Sequence, residues 1–594
     1  MTGPPAPPLP IPPAPFNRGW RLAAEWAGFA ALLFASRLVG RALLVPQSDQ
    51  ECFIGGIAVD LLAHGLRFPL LAYAPNEYDN GSLFSGLAAA GSFALFGRSV
   101  LALKLVTLAI NAAGAVAALA LLRRGLDELG VRQAAARRVA IAVLIVTVAL
   151  APRVVALVSN NAVGNHAEGT ALVILLLALF AAPPRRATAA RVALRWALVA
   201  LALYLNKATL LAIPLLAATE LWRWRRTPRH LAAALAGFAA GALPELLVIA
   251  QRHAMGWMTM AAKAERYSQS FPRAWIDDLL LLGEHRPALL LLWVAALAAG
   301  VAAVAGARRR AIAPVALALV TGYVLLHLLA LTVMAQGGID AYAIYLYPGL
   351  SVLVALLAAR LVEDADRRQG AGAALAAGGA ALAAVLLLYR PLAFGWDPQA
   401  VRRLAANRDG AACSWRFAEG FGREHLHGRA AAAPSREAHV VDRCRSLSEP
   451  GLALDCLGGI GRELHWRRGE RVAGAPPAAL TLDEQRAFAF LYGTHRGGDA
   501  APCADFADGE LAAQCAAAVR LECLTMGDLL TRFSAGRRLG RPGCEIAAPP
   551  YDGYWSAMRA ELLARQPGAG PAVDDGGGDT GLGACGATFA ACYP

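Results

Sequence analysis

Long apolar runs recur along the chain up to about residue 390, and arginines stand at the ends of most of them. Most runs have about 17–25 residues, which is enough for a helix to cross a bilayer core of roughly 30 Å. Of all 594 residues, 57% are hydrophobic and 17% are charged, whereas a soluble domain averages about 45–50% and about 25%. The sequence therefore predicts an all-α integral membrane protein.

The apolar runs predict about eleven transmembrane helices. The first is about Leu22–Val45, and the others are about 99–122, 139–158, 167–182, 191–206, 208–222, 231–250, 287–305, 312–334, 343–362 and 371–389. We interpret residues 191–222 as two short spans that meet at Asn206–Lys207, because one long helix would put its flanking arginines on opposite sides of the membrane. The stretch Ser82–Gly97 is apolar, but it has only about 16 residues and contains several small ones, and we expect it to lie at the membrane interface.

Arginine clusters mark every second loop between the predicted spans. They are Arg123, Arg124, Arg137 and Arg138; Arg185, Arg186 and Arg191; Arg223, Arg225, Arg226 and Arg229; Arg308, Arg309 and Arg310; and Arg367 and Arg368. Because basic loops stay in the cytoplasm, an odd number of spans puts the N-terminus inside and the C-terminus outside the plasma (inner) membrane. The net charge of +13 is concentrated in these loops, so we expect no nucleic acid as a partner.

The sequence divides into three parts. Residues 1–21 are rich in proline and predict a disordered cytoplasmic tail. Residues 22–390 form the predicted membrane domain, with a large outer loop at 46–98. Residues 391–594 predict an extracytoplasmic (periplasmic) domain, because no long apolar run remains and nine of the ten cysteines follow residue 412. Cysteines gathered in one soluble region favour disulfides; zinc is the alternative, and no CxxC pair supports it.

Three similar segments indicate that this C-terminal domain consists of degenerate helical repeats. They begin at Phe417, Cys456 and Phe490, about 35–40 residues apart. Disulfides would stabilise such an assembly of small helices. The domain would bind an acceptor or a partner, or serve as a passive cover.

Two acids, Asp49 and Glu51, follow the first span just outside the membrane. A carboxylate there could act as a general base on a hydroxyl or hold a divalent metal. The alternative is a pair of solvated loop acids or a helix cap.

A second polar group lies at the turn between the third and fourth spans and comprises Asn165, His166 and Glu168. These residues could position a substrate, and His166 could complete a metal site with Asp49 and Glu51. A capping box formed by Asn165 and Glu168 explains the pattern equally well.

Several cations are candidates for binding phosphate at the outer surface. Lys207 lies between two short apolar helices, and Arg153 lies near the outer end of the third span. A lone cation that snorkels to the interface is the alternative for Lys207. Arg37 and Arg41 share one face of the first span, and a buried arginine in a span needs a partner such as a lipid phosphate or a carboxylate.

Tyrosines cluster immediately before and at the start of the tenth span, and Tyr342 and Tyr345 are candidate substrate contacts. The alternative is that they anchor the helix in the aromatic belt of the membrane interface.

The order of these features resembles that of the GT-C superfamily of membrane glycosyltransferases, which includes aminoarabinose transferases and protein O-mannosyltransferases. The shared features are outward acids after the first span, a large outer loop whose apolar helix ends at Gly97, a second span ending in paired arginines, a short span ending at Lys207, and a tyrosine-rich start of a late span. The resemblance covers about residues 20–390. The chain departs from the pattern where Gln50 separates the two acids and where residues 80–83 replace a proline–leucine element.

The resemblance implies a donor sugar on a polyprenyl phosphate, which enters sideways from the bilayer, and an unknown envelope acceptor outside the membrane. Asp49 would orient or deprotonate the acceptor hydroxyl, and attack at the anomeric carbon would invert its configuration. Lys207 would neutralise the leaving lipid phosphate, because a fixed cation stabilises charge that develops on a leaving group. The sequence establishes no cofactor, and a requirement for Mg²⁺ or Mn²⁺ stays open.

Two other functions compete with this hypothesis. One is a transporter or flippase of lipids or sugars, although the spans show no convincing internal repeat and Glu245 is the main acid within them. The other is a non-catalytic assembly factor on the same fold, with the C-terminal domain as its working part.

Overall fold

The fold is all-α in the part of the chain that the computed structural model describes, where no strand occurs. That part comprises residues 15–39, 49–66, 81–151, 155–156, 159, 166–182, 188–225, 227–254, 286–309, 314–333, 344–389, 445, 457, 480–493, 503–504, 506–513 and 515–516. The predicted helical repeats lie mostly outside these residues.

The described part of the chain contains a succession of α-helices. They are α1 Pro15–Val39, α2 Asp49–His64, α3 Gly81–Phe96, α4 Val100–Glu128, α5 Ala134–Leu144, α6 His166–Ala181, α7 Ala189–Leu205, α8 Ile213–Trp224, α9 Pro228–Gly241, α10 Leu243–Ala254, α11 Pro287–Arg309, α12 Val315–Val333, α13 Tyr347–Gln369, α14 Ala371–Tyr389 and α15 Leu482–Gly493. A π-helical turn, Ile145–Ala149, continues α5, and a 3₁₀ turn, Lys207–Leu211, precedes α8.

Three described helices are long and apolar enough to cross a membrane: α4, residues Pro287–Gly306 of α11, and α14. Helix α9 and the first part of α10 meet the same criterion together, but they are bent by 45°. Each predicted span coincides at least in part with a helix, so the apolar runs do mark helical segments. That all eleven segments cross the membrane stays a prediction, as does their sidedness.

Two segments differ from their predicted structure. α1 begins at Pro15, within the segment predicted as a disordered tail, and proline is well tolerated in the first turn of a helix. The single span predicted at 231–250 consists of two helices, because Pro244 lacks an N–H and its ring collides with the preceding turn. The break places Glu245 in the first turn of α10.

Helix α4 packs against six other helices: α1, α3, α5, α6, α12 and α13. Small residues permit its closest approaches. At Gly114, an added Cβ would lie 2.7 Å from Cβ of Ala171 on α6. Helices α7 and α9 also pack closely, because Gly237 and Gly241 lie against the backbone of Ala193 and Ala197. Such GxxxG contacts let two helix backbones approach without intervening side chains.

Two buried carboxylates join helix ends at one end of the bundle. Glu128, at the end of α4, accepts hydrogen bonds from the backbone N–H groups of Ala316 (3.0 Å) and Leu317 (3.1 Å) at the start of α12. Glu363, near the end of α13, accepts one from the N–H of Gln133 (3.1 Å) before α5. Both acids thus satisfy N–H groups that have no partner within their own helix.

This end also carries arginine side chains, and we call it the basic end, defined by Arg123, Arg124, Arg137, Arg223 and Arg367. Arg124 pairs with Glu128, and Arg367 pairs with Glu363. The five arginines belong to three of the predicted cytoplasmic clusters. Arg123 lies close enough to Arg137, and Arg223 to Arg124, for their charges to interact. The starts of α6 and α13 and the end of α7 lie at the other end of the bundle, which we call the opposite end.

Helices α2 and α3 form an apolar hairpin on the first turns of α4. Ile54 and Ile57 of α2 pack with Leu83 and Phe93 of α3 and with Leu103 of α4. The predicted outer loop is therefore partly helical, and its acids Asp49 and Glu51 lie in the first turn of α2.

In the C-terminal part, a disulfide joins Cys503 to Cys515. This agrees with the predicted disulfides, although their full pattern stays a prediction. The start of α15 is a capping box: the Thr481 N–H donates to Glu484 (2.7 Å), and the Glu484 N–H donates to the Thr481 hydroxyl (3.3 Å). Arg445 donates twice to the same carboxylate, at 2.9 and 2.7 Å.

Candidate functional site

The chain interrupts a helix at the opposite end of the bundle. Helix α7 ends at Leu205, Asn206 is extended (φ −152°, ψ 124°), and the 3₁₀ turn begins at Lys207. The Thr209 hydroxyl donates to the carbonyl of Ala202 at 3.2 Å, so a side chain replaces part of the lost helical hydrogen bonding. The interruption places Asn206 and Lys207 on backbone that is not α-helical.

Lys207 forms an ion pair with Glu245 on α10. The lysine side chain is 12% exposed and the glutamate side chain 13% exposed, so most of each lies within the protein. The Lys207 ammonium also donates to the carbonyl of Leu203 at 3.4 Å. Glu245 lies in the first turn of its helix, where the helix dipole favours a carboxylate. The pair therefore joins two interrupted helices.

Asn206 connects the same interruption to α6 and α13. Its side-chain amide donates to the hydroxyl of Tyr345 at 2.7 Å, and both residues are buried. Gly169 lies against this hydrogen bond: an added Cβ would be 2.6 Å from the Asn206 amide nitrogen and 3.0 Å from the Tyr345 hydroxyl. The close contact requires glycine because any larger side chain would displace the two polar groups.

Glu168 precedes Gly169 in the first turn of α6 and is 5% exposed. The Thr107 hydroxyl of α4 donates to its carboxylate at 3.3 Å. Lys104, one turn before Thr107, is fully buried. The ring of His327 on α12 lies 5.4 Å from the ring of Tyr345. Helices α4, α6, α10 and α12, together with the interruption after α7 and the segment before α13, thus contribute polar side chains to the opposite end of the bundle.

Three of the predicted site residues, Glu168, Lys207 and Tyr345, are brought together by this arrangement. Gly169, which follows Glu168, lies against Asn206, which precedes Lys207. Asn206 in turn donates its hydrogen bond to Tyr345. The backbones of Asp49, Glu51 and His166 begin α2 and α6, and their side chains lie outside the described part. The remaining predicted site residues lie wholly outside it: Arg153, Asn165 and Tyr342.

The sequence pattern does not predict Asn206, Thr107 or Lys104 as site residues, and it indicates Glu245 only as an acid within a span. Ionisable residues in an apolar helix usually face a partner or a cavity, and this signal was available for Lys104 and His327. The sequence gives no comparable signal for the pairing of Lys207 with Glu245, which lies 38 residues further along.

Within the described residues, no group of three His, Cys, Asp or Glu side chains could hold a metal ion. The metal ligands proposed from the sequence, Asp49, Glu51 and His166, have side chains outside that part. A requirement for Mg²⁺ or Mn²⁺ therefore stays a prediction.

Comparisons with protein-family models, curated proteins and solved structures found no match for this chain. The class of this protein is therefore inferred from its own sequence and structure. The described chain is a helical bundle with membrane-spanning candidates, and it carries a partly buried polar site where two helices are interrupted.

Proposed function

We propose that the protein is a membrane glycosyltransferase that transfers a sugar from a polyprenyl phosphate to an envelope acceptor at the extracytoplasmic face, with inversion. The observation that carries the proposal is the position of Lys207. Its ammonium is held at a helix interruption by Glu245 and lies at the end of the bundle opposite the arginine clusters. If those clusters face the cytoplasm, this end faces the outside.

The chemistry needs a cation where the leaving phosphate develops charge. When the anomeric C–O bond breaks, its electron pair departs with the lipid phosphate. A fixed ammonium group stabilises that charge, and it does so more strongly in a partly buried site than in water. The contacts of Lys207 with Glu245 and the Leu203 carbonyl hold the ammonium before substrate binds.

The acceptor side of the reaction is assigned to Asp49. Its carboxylate would accept the proton of the acceptor hydroxyl as the oxygen attacks the anomeric carbon. Asp49 begins α2, and α2 packs on the first turns of α4, which also carry Thr107. Thr107 contacts Glu168, so α4 connects the helix of the proposed base to the polar site.

The test is glycosyl transfer by the purified full chain in lipid nanodiscs, with a panel of polyprenyl-phosphate sugars. We expect wild-type transfer or donor hydrolysis, and loss of at least about a hundredfold in Asp49→Asn and Lys207→Ala. Asp364→Asn is the matched control, because Asp364 forms an i,i+4 pair with Arg360 on α13 away from the site. Wild-type activity that survives both site substitutions in folded protein would overturn the assignment.

A second candidate function, a transporter, is favoured by one observation. The Lys207–Glu245 pair lies between two interrupted helices, and transporters often bind substrates where discontinuous helices meet. Movement of a lipid-linked sugar across proteoliposomes without glycosyl transfer would support this function and exclude the enzyme.

A further inference from the structure

A partly open cavity of about 60 Å³ lies beside the polar site, between α1, the π-helical turn, α4, α6 and the start of α13. Most of its lining is apolar, with Leu33, Ala118 and Ile174 among the contacts. Its polar lining includes Arg37 and Thr170. A volume of this size holds about four waters or one phosphate group.

Arg37 is the cationic group of the cavity, and only 3% of it is exposed. It donates to the carbonyl of Ala149 (3.0 Å), to the carbonyl of Val148 (3.3 Å) and to the hydroxyl of Ser36 (3.4 Å). These acceptors are uncharged, and Arg37 forms no ion pair with a carboxylate of the described residues. The two carbonyls end the π-helical turn, where the helix dipole supplies about half a negative charge.

The contacts of Arg37 therefore leave part of its charge uncompensated. A guanidinium has five N–H donors, and the three hydrogen bonds use three of them. A buried charge without a counter-charge is costly in an apolar environment. An anion in the cavity would supply both the missing charge and acceptors for the remaining donors.

The other polar groups have local partners. The Asn111 amide donates to the carbonyl of Ser159, and the Tyr347 hydroxyl donates to the carbonyl of Thr147 at 2.6 Å. The cavity thus combines one arginine with a mainly apolar lining. This combination suits a ligand with a single anionic group on a hydrocarbon chain better than a small, fully hydrated anion.

We propose that this cavity binds the phosphate head group of an anionic lipid, with Arg37 as its charge partner and the apolar lining against the start of its chain. Arginine suits the role because its planar fork binds phosphate oxygens in pairs. The site is distinct from Lys207 but shares two walls with the polar site. Thr170 follows Gly169 on α6, and Ile344 and Tyr347 flank Tyr345.

The experiment measures binding of decyl phosphate to the full chain in a neutral detergent, with native mass spectrometry to count bound molecules. Inorganic phosphate and decanol separate the contributions of the charge and the chain. We expect a saturable decyl phosphate site that persists in Lys207→Ala, with inorganic phosphate at least about tenfold weaker, because it lacks the apolar contacts. Arg37→Leu should weaken decyl phosphate at least about tenfold, whereas the surface substitution Arg360→Leu should not.

A second variant keeps Arg37 and fills the cavity. Ala118 is fully buried and lines the cavity, so Ala118→Leu should also weaken decyl phosphate. This variant tests the site even if Arg37→Leu fails to fold. Lys207→Ala should retain the binding, which makes the result independent of the proposed glycosyl transfer.

Three outcomes would overturn the proposal. Equal binding by wild type, Arg37→Leu and Ala118→Leu would place the probe elsewhere. Equal affinities for inorganic phosphate and decyl phosphate would exclude a lipid ligand. Absence of saturable binding to folded wild type would leave Arg37 with only a structural role at the π-helical turn.

Discussion

Lys207 and Glu245 form an ion pair across two interrupted helices, with each side chain less than one seventh exposed. Lys207 begins the 3₁₀ turn after α7, and Glu245 lies in the first turn of α10 beside Pro244. The helix interruptions at Lys207 and at Pro244 therefore both contribute to the same ion pair. If α7 continued without a break, and if α9 and α10 formed one straight helix, neither Lys207 nor Glu245 would lie at a helix end.

The first prediction concerns the coupling of this pair. Lys207→Met leaves a mostly buried carboxylate without its ammonium partner and should cost about 1–3 kcal/mol of stability. Glu245→Gln should cost a similar amount, and the double variant should cost less than the sum, since neither charge is then left alone. Thermal unfolding in detergent measures all three. Strictly additive losses would show that the pair contributes no coupling energy.

The exchanged pair Lys207→Glu with Glu245→Lys separates structure from chemistry. It should recover part of the stability, because opposite charges still face each other. It should not recover glycosyl transfer, because the proposed phosphate partner has moved to α10. Recovery of both properties would mean that the position of the cation is unimportant.

The second prediction concerns Gly169. A methyl group there would lie 2.6 Å from the Asn206 amide nitrogen, so Gly169→Ala should break the hydrogen bond to Tyr345 or push α6 away from α7. We expect a loss of about 1–3 kcal/mol in stability, as for a buried hydrogen bond left unmade. Differential scanning fluorimetry in detergent measures it.

Gly379→Ala is the matched control for Gly169→Ala. Gly379 also lies within a helix, α14, but nothing lies within 4 Å of its added Cβ. Alanine there should stabilise the protein by about 0.5–1 kcal/mol, through its better helix propensity. Similar effects of the two substitutions would contradict the close contact at Gly169.

The third prediction concerns the contact between α7 and α9. Gly237 lies against the carbonyl of Ala193, with no space for a Cβ, and the obstacle is backbone that cannot rotate away. Gly237→Ala should therefore separate the helices and lower thermal stability by more than Gly169→Ala does. Gly372→Ala, at an open position on α14, is the control. A neutral Gly237→Ala variant would show that the helices pack less closely.

Much of the helical layout could be predicted from the sequence, because a helix in a membrane needs a long apolar run and arginines at its ends. The interruption at Asn206–Lys207 followed from the same charge pattern. Pro244 marks the bend between α9 and α10, although the apolar run 231–250 predicts one span. Helix positions, interruptions and bends are determined by neighbouring residues, so a short segment of sequence is enough to predict them.

The contacts of the site are not local. Lys207 with Glu245, Asn206 with Tyr345, and Thr107 with Glu168 each join separate helices. Apolar periodicity shows which segments are helical but not how the helices turn toward one another. Gly169 illustrates the difference: nothing in its local sequence shows that it must make room for Asn206 and Tyr345.

The final prediction concerns acid sensitivity at α15. Burial alone would raise the pKa of Glu484, but the hydrogen bonds from Arg445 and Thr481, together with the charge of Arg445, more than offset it, so the pKa lies below its usual value. In the unfolded chain a glutamate titrates near about 4.3. The contribution of Glu484 to stability is therefore complete above about pH 4.3 and is lost as the pH falls through its lower folded-state pKa.

Hydrogen exchange of the full chain, corrected for intrinsic rates, measures this loss at residues 480–493. Protection of α15 should decrease as the pH falls below about 4.3. In Glu484→Gln, α15 should be less protected at neutral pH, and the acid-dependent step should be smaller, because the titrating group is gone. Glu510→Gln is the control, since Glu510 pairs with Arg486 but is 55% exposed, and surface pairs contribute little. An unchanged acid step in Glu484→Gln would assign the titration to another group.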